Sequence, residues 1–202
     1  MREMYSTLRE YLAESSALLM AAAGAVPQPA VDAAVDAIVC ALAAGKPLLV
    51  CGNGGSACDA MHITGELVAR FLEERRALKA ICLSSNPAVM TAWSNDYRFA
   101  TAMARQVEAY GEPGAALLGI STSGNSENIL AAFERAREMG MLTIALTGEG
   151  GGKMAALADC LLAVPSRNTP LIQQVHVCIY HYLCQRIEQR MMESDSAAGA
   201  RL

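Results

Sequence analysis

The sequence predicts an α/β protein, a three-layer α/β/α sandwich with a five-stranded parallel sheet preceded by N-terminal helices. Five short apolar runs show little alternation, which is typical of strands buried on both faces of a parallel sheet. Helical segments separate these runs, and the loops between them are short. Of the 202 residues, 53% are hydrophobic and 18% charged, which is enough apolar sequence for one folded core.

The N-terminal segment is predicted to form two helices, over residues 2–23 and 29–45, because Pro27 and Pro29 interrupt the pattern between them. The predicted strands span 47–51, 78–83, 115–120, 142–146 and 160–164. Helical segments follow over 58–72, 87–92 with 98–110, 126–139 and 152–158, and a long last helix covers 169–192. The expected organisation is one domain, with oligomerising helices over 1–45, the sheet domain over 46–192 and a flexible tail over 193–202.

Composition argues against two classes of partner. The net charge is −4 and no basic block stands out, which disfavours nucleic-acid binding. No apolar run approaches the ~20 residues of a membrane span. Arg2 is accompanied by Glu3, Glu10 and Glu14, unlike a secretory signal, so a cytoplasmic protein is expected.

The seven cysteines form no CxxC pair and are expected to be mostly buried, reduced thiols.

Two loops of small polar residues each lie between a predicted strand and a predicted helix. They are CGNGGSACDAMH, residues 51–62, and STSGNS, residues 121–126. Ligands of open α/β sheets bind at the carboxyl ends of strands near a topological switch, so two such loops side by side would form a small anion pocket. Neither loop is a P-loop, because GxxxxGK[ST] is absent, and GNGGS is only a weak dinucleotide signal.

The second loop suits a phosphate monoester. Four hydroxyls lie within six residues, and the following helix offers unpaired N–H groups and the positive end of its dipole. The alternative is simple capping, since Asn125 or Ser126 could cap that helix in any protein. Capping explains one of these residues and leaves the other hydroxyls unexplained.

Residues of the metal-binding type occur on two predicted helices. His62 and Glu66 are spaced i, i+4 and share one helix face, while Gln173 and His181 lie about two turns apart on the last helix. Zinc accepts imidazole nitrogen and carboxylate oxygen, and an amide oxygen is an uncommon ligand. A lone histidine is more often an ordinary satisfied or exposed side chain, and spacing alone cannot bring the two helices together.

Five motifs in order resemble the sugar isomerase (SIS) domain proteins, specifically bacterial phosphoheptose isomerases. They are CGNGGSACDAMH, the ND of Asn95 and Asp96, LLGISTSGNS, TGEGGGKMA and IQQVHVCIYH, spread over about residues 5–190. The resemblance implies a flavodoxin-like SIS fold in a cytoplasmic enzyme. The implied reaction interconverts sedoheptulose 7-phosphate and D-glycero-D-manno-heptose 7-phosphate through an enediol. This is the first step of ADP/GDP-heptose biosynthesis, as for lipopolysaccharide core.

The resemblance also implies roles for individual residues. The family's phosphate-binding residues correspond to Ser56, Ser121, Thr122, Ser123 and Ser126. The other substrate contacts match Asn53, Gly54, Gly55, Glu66, Asn95, Asp96 and Gln173. One Zn²⁺ per subunit is implied, with the ligands His62, Glu66, Gln173 and His181. Glu66 is the implied base and His181 the implied acid, in a homotetramer whose sites draw residues from neighbouring subunits.

The match has one departure, and two alternatives compete with it. The family often reads ARIQE where this chain has PLIQQ, so Leu171 and Gln174 replace a charged pair. A non-catalytic SIS paralogue that binds the replication initiator protein would keep the loops but tends to lose the catalytic set, which is present here. A sugar-phosphate-sensing regulator usually carries a DNA-binding domain, for which residues 1–45 offer no basic face.

Overall fold

Five strands form one parallel sheet, as the apolar runs predict. In the computed structural model, which describes residues 5–199, they are β1 (Leu48–Gly52), β2 (Ala80–Cys82), β3 (Ala116–Ser121), β4 (Leu142–Thr147) and β5 (Cys160–Ala163). The sheet order is β2-β1-β3-β4-β5, and every neighbouring pair is parallel. The predicted α/β sandwich is therefore confirmed, with the flavodoxin-like strand order.

Helices cover both faces of this sheet. They are α1 (Leu8–Ala25), α2 (Gln28–Ala43), α3 (Gly55–Val68), α4 (Pro87–Asp96), α5 (Ala102–Tyr110), α6 (Glu127–Glu138) and α7 (Thr169–Gly199). In β1, Leu48 and Val50 point into a core formed with α2, α3 and α7. Leu49 and Cys51 point to the opposite side, against α5 and α6. This alternation explains why the strand is apolar at every position.

The N-terminal helices lie on the α7 side of the molecule. Leu18 and Ala22 of α1 pack against α7, whereas Leu8 and Met20 remain 71% and 73% exposed. Helix α1 begins at Leu8 because Thr7 and Glu10 form a reciprocal capping box, so the predicted start at residue 2 is wrong for residues 5–7. Within residues 5–199, no single helix is long and apolar enough to cross a membrane. Helices α1 and α2 meet that length and composition test only as a pair bent by 79°.

Two predicted helix boundaries near the candidate site are wrong. Helix α3 begins inside the GNGGS loop, at Gly55, and ends at Val68 instead of residue 72. It ends early because the backbone N–H groups of residues 71–73 donate to the carboxylate of Glu188 instead of to helix carbonyls. The predicted helix over 152–158 is a short 3₁₀ turn, Gly152–Ala156, since Gly150, Gly151 and Gly152 all have positive φ.

The last helix is longer than predicted. Helix α7 continues to Gly199, so residues 193–199 of the predicted flexible tail are helical, and residues 200–202 lie outside the described residues. Glutamate and alanine favour helix in this segment. Asp195 also accepts a 2.8 Å hydrogen bond from Nε of Arg76, which ties the end of α7 to the loop after α3.

All seven cysteines are free thiols. Four of them, Cys51, Cys82, Cys160 and Cys184, are buried, whereas Cys40, Cys58 and Cys178 are exposed, so the predicted burial holds for four of the seven. Burial raises the pKa of the Cys51 and Cys184 thiols to about 12. These two thiols are therefore neutral and unreactive at neutral pH.

Candidate active site

The two polar loops meet at the topological switch of the sheet. Strand β1 connects outward to β2, and the chain then returns to β3 on the other side of β1. Gly52 at the end of β1 is in register with Ile120 of β3, so the loops that follow the two strands are neighbours. Between them lies a pocket of about 230 Å³. It is lined by Asn53, Gly55, Ser56, Ile120, Ser121, Thr122, Ser126, Thr169 and Gln173.

Three helices begin at this pocket. Helix α3 begins at Gly55, α6 follows Ser126, and α7 begins at Thr169, and all three of these residues line the pocket. Each helix start offers backbone N–H groups without an intrahelical partner and the positive end of a dipole. No lysine or arginine is among the lining residues. The pocket is therefore built to bind an anion through amides and hydroxyls.

The hydroxyls of the second loop point toward one another instead of capping helix α6. Ser126 occupies the N-cap position of α6, yet its side chain makes no capping hydrogen bond. Its Oγ lies 3.0 Å from Oγ of Ser121. The capping alternative therefore does not account for Ser126, and both hydroxyls remain available to a ligand in the pocket.

Ser123 differs from the other predicted phosphate residues. Its side chain is exposed, does not line the pocket and accepts a hydrogen bond from the backbone N–H of Asn125. The side chain of Asn125 in turn donates to the Ser123 carbonyl. Within one chain, these two residues stabilise the turn, while Ser56, Ser121, Thr122 and Ser126 line the pocket.

Two glycines of the first loop lie where an added side chain would strain the backbone or displace a neighbour. Gly54 has φ +55° and ψ −123°, a conformation that residues with a side chain rarely adopt. A Cβ atom on Gly55 would lie 2.4 Å from Nε2 of Gln173, so α3 and α7 approach closely at this point. The predicted substrate contacts Gly55 and Gln173 are thus adjacent, whereas Gly54 does not line the pocket.

Sequence reasoning missed two polar residues, one that lines the pocket and one that holds a lining residue in place. Asn128 is 2% exposed, and its side-chain amide exchanges two 2.8 Å hydrogen bonds with that of Asn53, which fixes the Asn53 side chain. Thr169 lines the pocket at the start of α7. A threonine immediately before Pro170 is a recognisable helix-start signal and could have drawn attention to Thr169. Asn128 has no comparable signal, because its partner is 75 residues away.

Three of the four predicted metal ligands form a cluster. Single ligand atoms of His62, Glu66 and His181 all lie within 4.8 Å of one another. Nε2 of His62 is 3.0 Å from Oε1 of Glu66. The ring centroids of His62 and His181 are 5.0 Å apart, and the two rings are edge to face. Two imidazoles and a carboxylate are a ligand set that suits zinc. These residues therefore fit a divalent metal of this type.

The fourth predicted ligand, Gln173, lies at the other end of the same helix pair. It precedes His181 by eight residues, which is roughly 12 Å of helix rise along α7. Gly55 precedes His62 on α3 by a similar distance. The pocket and the His62–Glu66–His181 cluster thus lie at two successive positions along one α3–α7 interface. Gln173 lies at the position of the pocket, which it lines. A role for Gln173 as a metal ligand stays a prediction.

Asn95 and Asp96 are not brought to the pocket. They end helix α4 and are exposed, and Nδ2 of Asn95 donates a 2.9 Å hydrogen bond to Oδ1 of Asp96. Neither residue lines the pocket within one chain. Their predicted contact with substrate stays a prediction.

A larger surface groove, about 800 Å³, lies elsewhere. It runs along the C-terminal part of α7, and its lining includes Glu73, Glu188 and Glu193. Carboxylates would repel a phosphate, so the groove does not suit the same ligand as the smaller pocket.

Comparison with known proteins identifies the family. The SIS domain model matches residues 10–148. A phosphoheptose isomerase from Crocosphaera subtropica is 51% identical over 148 residues, which are 73% of this chain and 76% of the relative. One from Desulfovibrio desulfuricans is 50% identical over 160 residues, 79% of this chain and 76% of the relative. The chain belongs to the phosphoheptose isomerase family of SIS domain proteins.

Solved structures of the phosphoheptose isomerase family share the whole fold. The structure from Francisella tularensis has a TM-score of 0.86 at 42% identity and covers 90% of this chain and 96% of that one. The structure from Neisseria gonorrhoeae has a TM-score of 0.84 at 38% identity and covers 91% of this chain and 100% of that one. A sugar isomerase domain from an RpiR transcription factor of Sphaerobacter thermophilus, at 19% identity and a TM-score of 0.63, shares the fold alone. These similarities do not favour the initiator-binding paralogue or the regulator.

Proposed function

We propose that this protein interconverts sedoheptulose 7-phosphate and D-glycero-D-manno-heptose 7-phosphate, at the start of ADP/GDP-heptose biosynthesis. The observation that carries the proposal is the pairing of an anion pocket with a His62–Glu66–His181 cluster on the same two helices. An aldose–ketose isomerase needs both parts, one to hold the phosphate and one to move protons at the other end of the sugar. Membership of the phosphoheptose isomerase family supports this substrate.

The pocket binds the phosphate. The hydroxyls of Ser56, Ser121, Thr122 and Ser126 donate to its oxygens, and the helix starts at Gly55 and Thr169 supply backbone N–H groups and dipoles. Asn53 and Gln173 line the side of the pocket and contact the sugar chain. The sugar then extends along the α3–α7 interface toward the cluster, roughly 10 Å away by helix rise.

Glu66 and His181 carry the proton transfers. The Glu66 carboxylate removes the proton from the carbon beside the carbonyl and returns it to the neighbouring carbon, through an enediol. His181 moves the accompanying proton between the two oxygens. The two side chains are close enough to serve adjacent carbons of one substrate, since their ligand atoms lie within 4.8 Å.

The same cluster is proposed to hold one Zn²⁺ per subunit through His62, Glu66, His181 and Gln173. When bound, zinc would polarise the substrate carbonyl and stabilise negative charge on its oxygen. His62 contributes only to holding the metal. Glu66 is shared between binding and proton transfer, which requires its contact with the metal to be weak enough for exchange during turnover.

The protein is proposed to act in the cytoplasm as a homotetramer whose sites include residues of neighbouring subunits. Two observations support shared sites. Asn95 and Asp96 are exposed and lie outside the pocket of their own chain. The apolar side chains Leu8, Leu12 and Met20 of α1 are more than half exposed, which suits an interface formed by residues 1–45.

Turnover of the proposed substrate is the direct test. Purified protein is incubated with sedoheptulose 7-phosphate and added zinc, and the aldose product is trapped by the kinase that acts on it. Product formation is expected, together with its loss after a strong chelator and its return on adding zinc. If folded, zinc-supplemented protein forms no product, the enzymatic proposal is wrong and the initiator-binding paralogue becomes the better hypothesis.

A further inference from the structure

A buried tyrosine touches the candidate metal centre without belonging to the ligand set. Tyr180 is 1% exposed and immediately precedes His181 on α7. Its hydroxyl lies 2.9 Å from Nδ1 of His62, across the α3–α7 interface. The tyrosine ring is edge to face with both histidines, at centroid distances of 5.4 Å to His62 and 4.9 Å to His181. Tyr180 therefore contacts both imidazoles of the cluster.

We propose that Tyr180 is a positioning residue that fixes the orientation and tautomer of His62 for metal binding, an inference that rests on the metal centre proposed above. An imidazole has two ring nitrogens, and the Tyr180 hydroxyl occupies Nδ1. Nε2 faces Glu66 at 3.0 Å and is the nitrogen left for a metal. Ligand histidines usually use their second nitrogen to bond a neighbouring polar group, which holds the ring in place.

Asp59 extends this contact by one more residue. It lies three residues before His62 on the same face of α3, and its carboxyl interacts with the Tyr180 hydroxyl. Its Oδ2 atom is buried and has no hydrogen-bond partner of normal geometry among the described residues. The phenol proton of Tyr180 thus has an acceptor beside it.

The three groups define the direction of the hydrogen bonds. With Nε2 on a metal, the neutral ring of His62 carries its proton on Nδ1 and donates it to the phenol oxygen of Tyr180. The phenol is then left with its own proton to donate, and the buried Asp59 carboxylate is the acceptor that the proposal assigns to it. Tyr180 is the essential link, because it alone contacts both other residues in this arrangement.

Burial of the tyrosine ring has a simpler explanation, since Tyr180 also belongs to the core between α2, α3 and α7. A phenylalanine would fill that space equally well. The hydroxyl is what the proposal adds, so Tyr180→Phe separates positioning from packing. Tyr182 offers a matched control, because it lies two residues along the same helix and is 40% exposed.

Zinc affinity is the measurement that tests the proposal. The parent protein, Y180F and Y182F are titrated with zinc in competition with a chromogenic chelator. Y180F is expected to bind zinc about 10- to 100-fold more weakly than the parent, and Y182F to bind it equally well. Isomerase activity of Y180F is expected to be low at limiting zinc and to return at saturating zinc, because the hydroxyl acts through metal binding.

The outcomes distinguish this proposal from the proposed function. If the parent and Y180F bind zinc equally tightly, the role of Tyr180 is wrong while the metal centre stands. If the parent binds no zinc, the metal centre itself is wrong and the role of Tyr180 falls with it. Should Y180F fail to fold, Asp59→Asn replaces it, since the variant keeps the side-chain size. Weaker zinc binding by that variant supports the proposal, and unchanged binding overturns it.

Discussion

Nε of Arg75 lies 3.3 Å from Oε1 of Glu188, and the two side chains are only 3% and 2% exposed. Arg75 also donates hydrogen bonds to the carbonyl oxygens of Glu66 and Ala69 at the end of α3. Glu188 belongs to α7 and accepts three backbone N–H groups from residues 71–73. This ion pair therefore stabilises the packing of α3, which carries His62 and Glu66, against α7, which carries His181.

Removing the arginine is expected to destabilise the protein strongly. Arg75→Met keeps much of the side-chain volume but leaves Glu188 buried without its charged partner, which typically costs about 3–5 kcal/mol of unfolding free energy. Burial opposes ionisation of Glu188, but the backbone N–H groups of residues 71–73 and Arg75 outweigh it and lower its pKa. In the variant, the backbone N–H groups of residues 71–73 still hydrogen-bond the carboxylate and favour its charged form. Urea denaturation at one fixed protein concentration measures the loss.

Arg76→Met is the matched control for this variant. Arg76 pairs with Asp195 at 2.8 Å, but both side chains are nearly half exposed, so its loss is expected to cost no more than about 1 kcal/mol. Zinc affinity is expected to fall in Arg75→Met and to be unchanged in Arg76→Met. Equal stability of the two variants would show that the buried pair does not fasten the helices.

The proton-transfer roles predict a near-complete loss of turnover in two variants. Glu66→Gln and His181→Gln are each expected to reduce kcat by about 10²- to 10⁴-fold, the usual contribution of a positioned acid or base. Glu74→Gln is the control, since Glu74 is exposed in the loop after α3. Turnover is measured with sedoheptulose 7-phosphate at saturating zinc, where Glu66→Gln is expected to retain bound metal through its amide oxygen. Near-parental turnover by either variant would show that its assigned role is wrong.

Local sequence patterns predicted most of the fold and part of the site. The five apolar runs identified the strands because a parallel sheet buries both faces, and the loops after β1 and β3 were recognisable by their small polar residues. The i, i+4 spacing of His62 and Glu66 correctly placed both on one face of α3, where the structure finds them in contact. These signals lie within a few residues of the chain and need no tertiary information.

The remaining features depend on contacts between distant segments. His181 reaches His62 only because α7 packs on α3, and the partner of Tyr180 is 118 residues away. The early end of α3 depends on Glu188, more than 110 residues further along. No spacing rule within a helix or loop contains such information, so the sequence left the meeting of the two helices open.

A methyl group at Gly55 is expected to impair catalysis with little effect on stability. Its Cβ would lie 2.4 Å from Nε2 of Gln173, which is the end of a flexible side chain and can move away. Gly55→Ala therefore displaces the Gln173 amide from the pocket, and a displacement of about 1 Å can lower kcat/KM by up to ~100-fold. Gly65→Ala on the same helix has no atom within 4 Å of the added carbon and is expected to keep full activity. Parental kcat/KM in Gly55→Ala would show that this contact does not matter for the substrate.

Buried His176 predicts a loss of stability in mild acid. The residue is 0% exposed, and Nε2–H donates a 3.0 Å hydrogen bond to the Thr147 carbonyl. Burial lowers its pKa from 6.5 to about 4, so the unfolded chain binds the proton more readily between these values. Burying the neutral ring costs no extra free energy above pH 6.5, where the unfolded chain also leaves it unprotonated. The free energy of unfolding falls as the pH drops toward 4, by about 2 kcal/mol between pH 7 and pH 5. Urea denaturation at both pH values is expected to show a smaller difference for His176→Gln than for the parent. An equal difference would exclude His176 as its source.

The serine at the start of α6 separates phosphate binding from helix capping. Ser126→Ala removes a hydroxyl that makes no cap hydrogen bond and lies 3.0 Å from Oγ of Ser121 in the pocket. Loss of one hydrogen bond to a charged phosphate is worth about 1.5–3 kcal/mol, so KM is expected to rise about 10- to 100-fold with little change in Tm. Thr7→Ala is the control, because Thr7 does cap α1 and its loss is expected to cost about 1 kcal/mol of stability without affecting KM. A Ser126→Ala variant that lost stability and kept its KM would return Ser126 to a purely structural role.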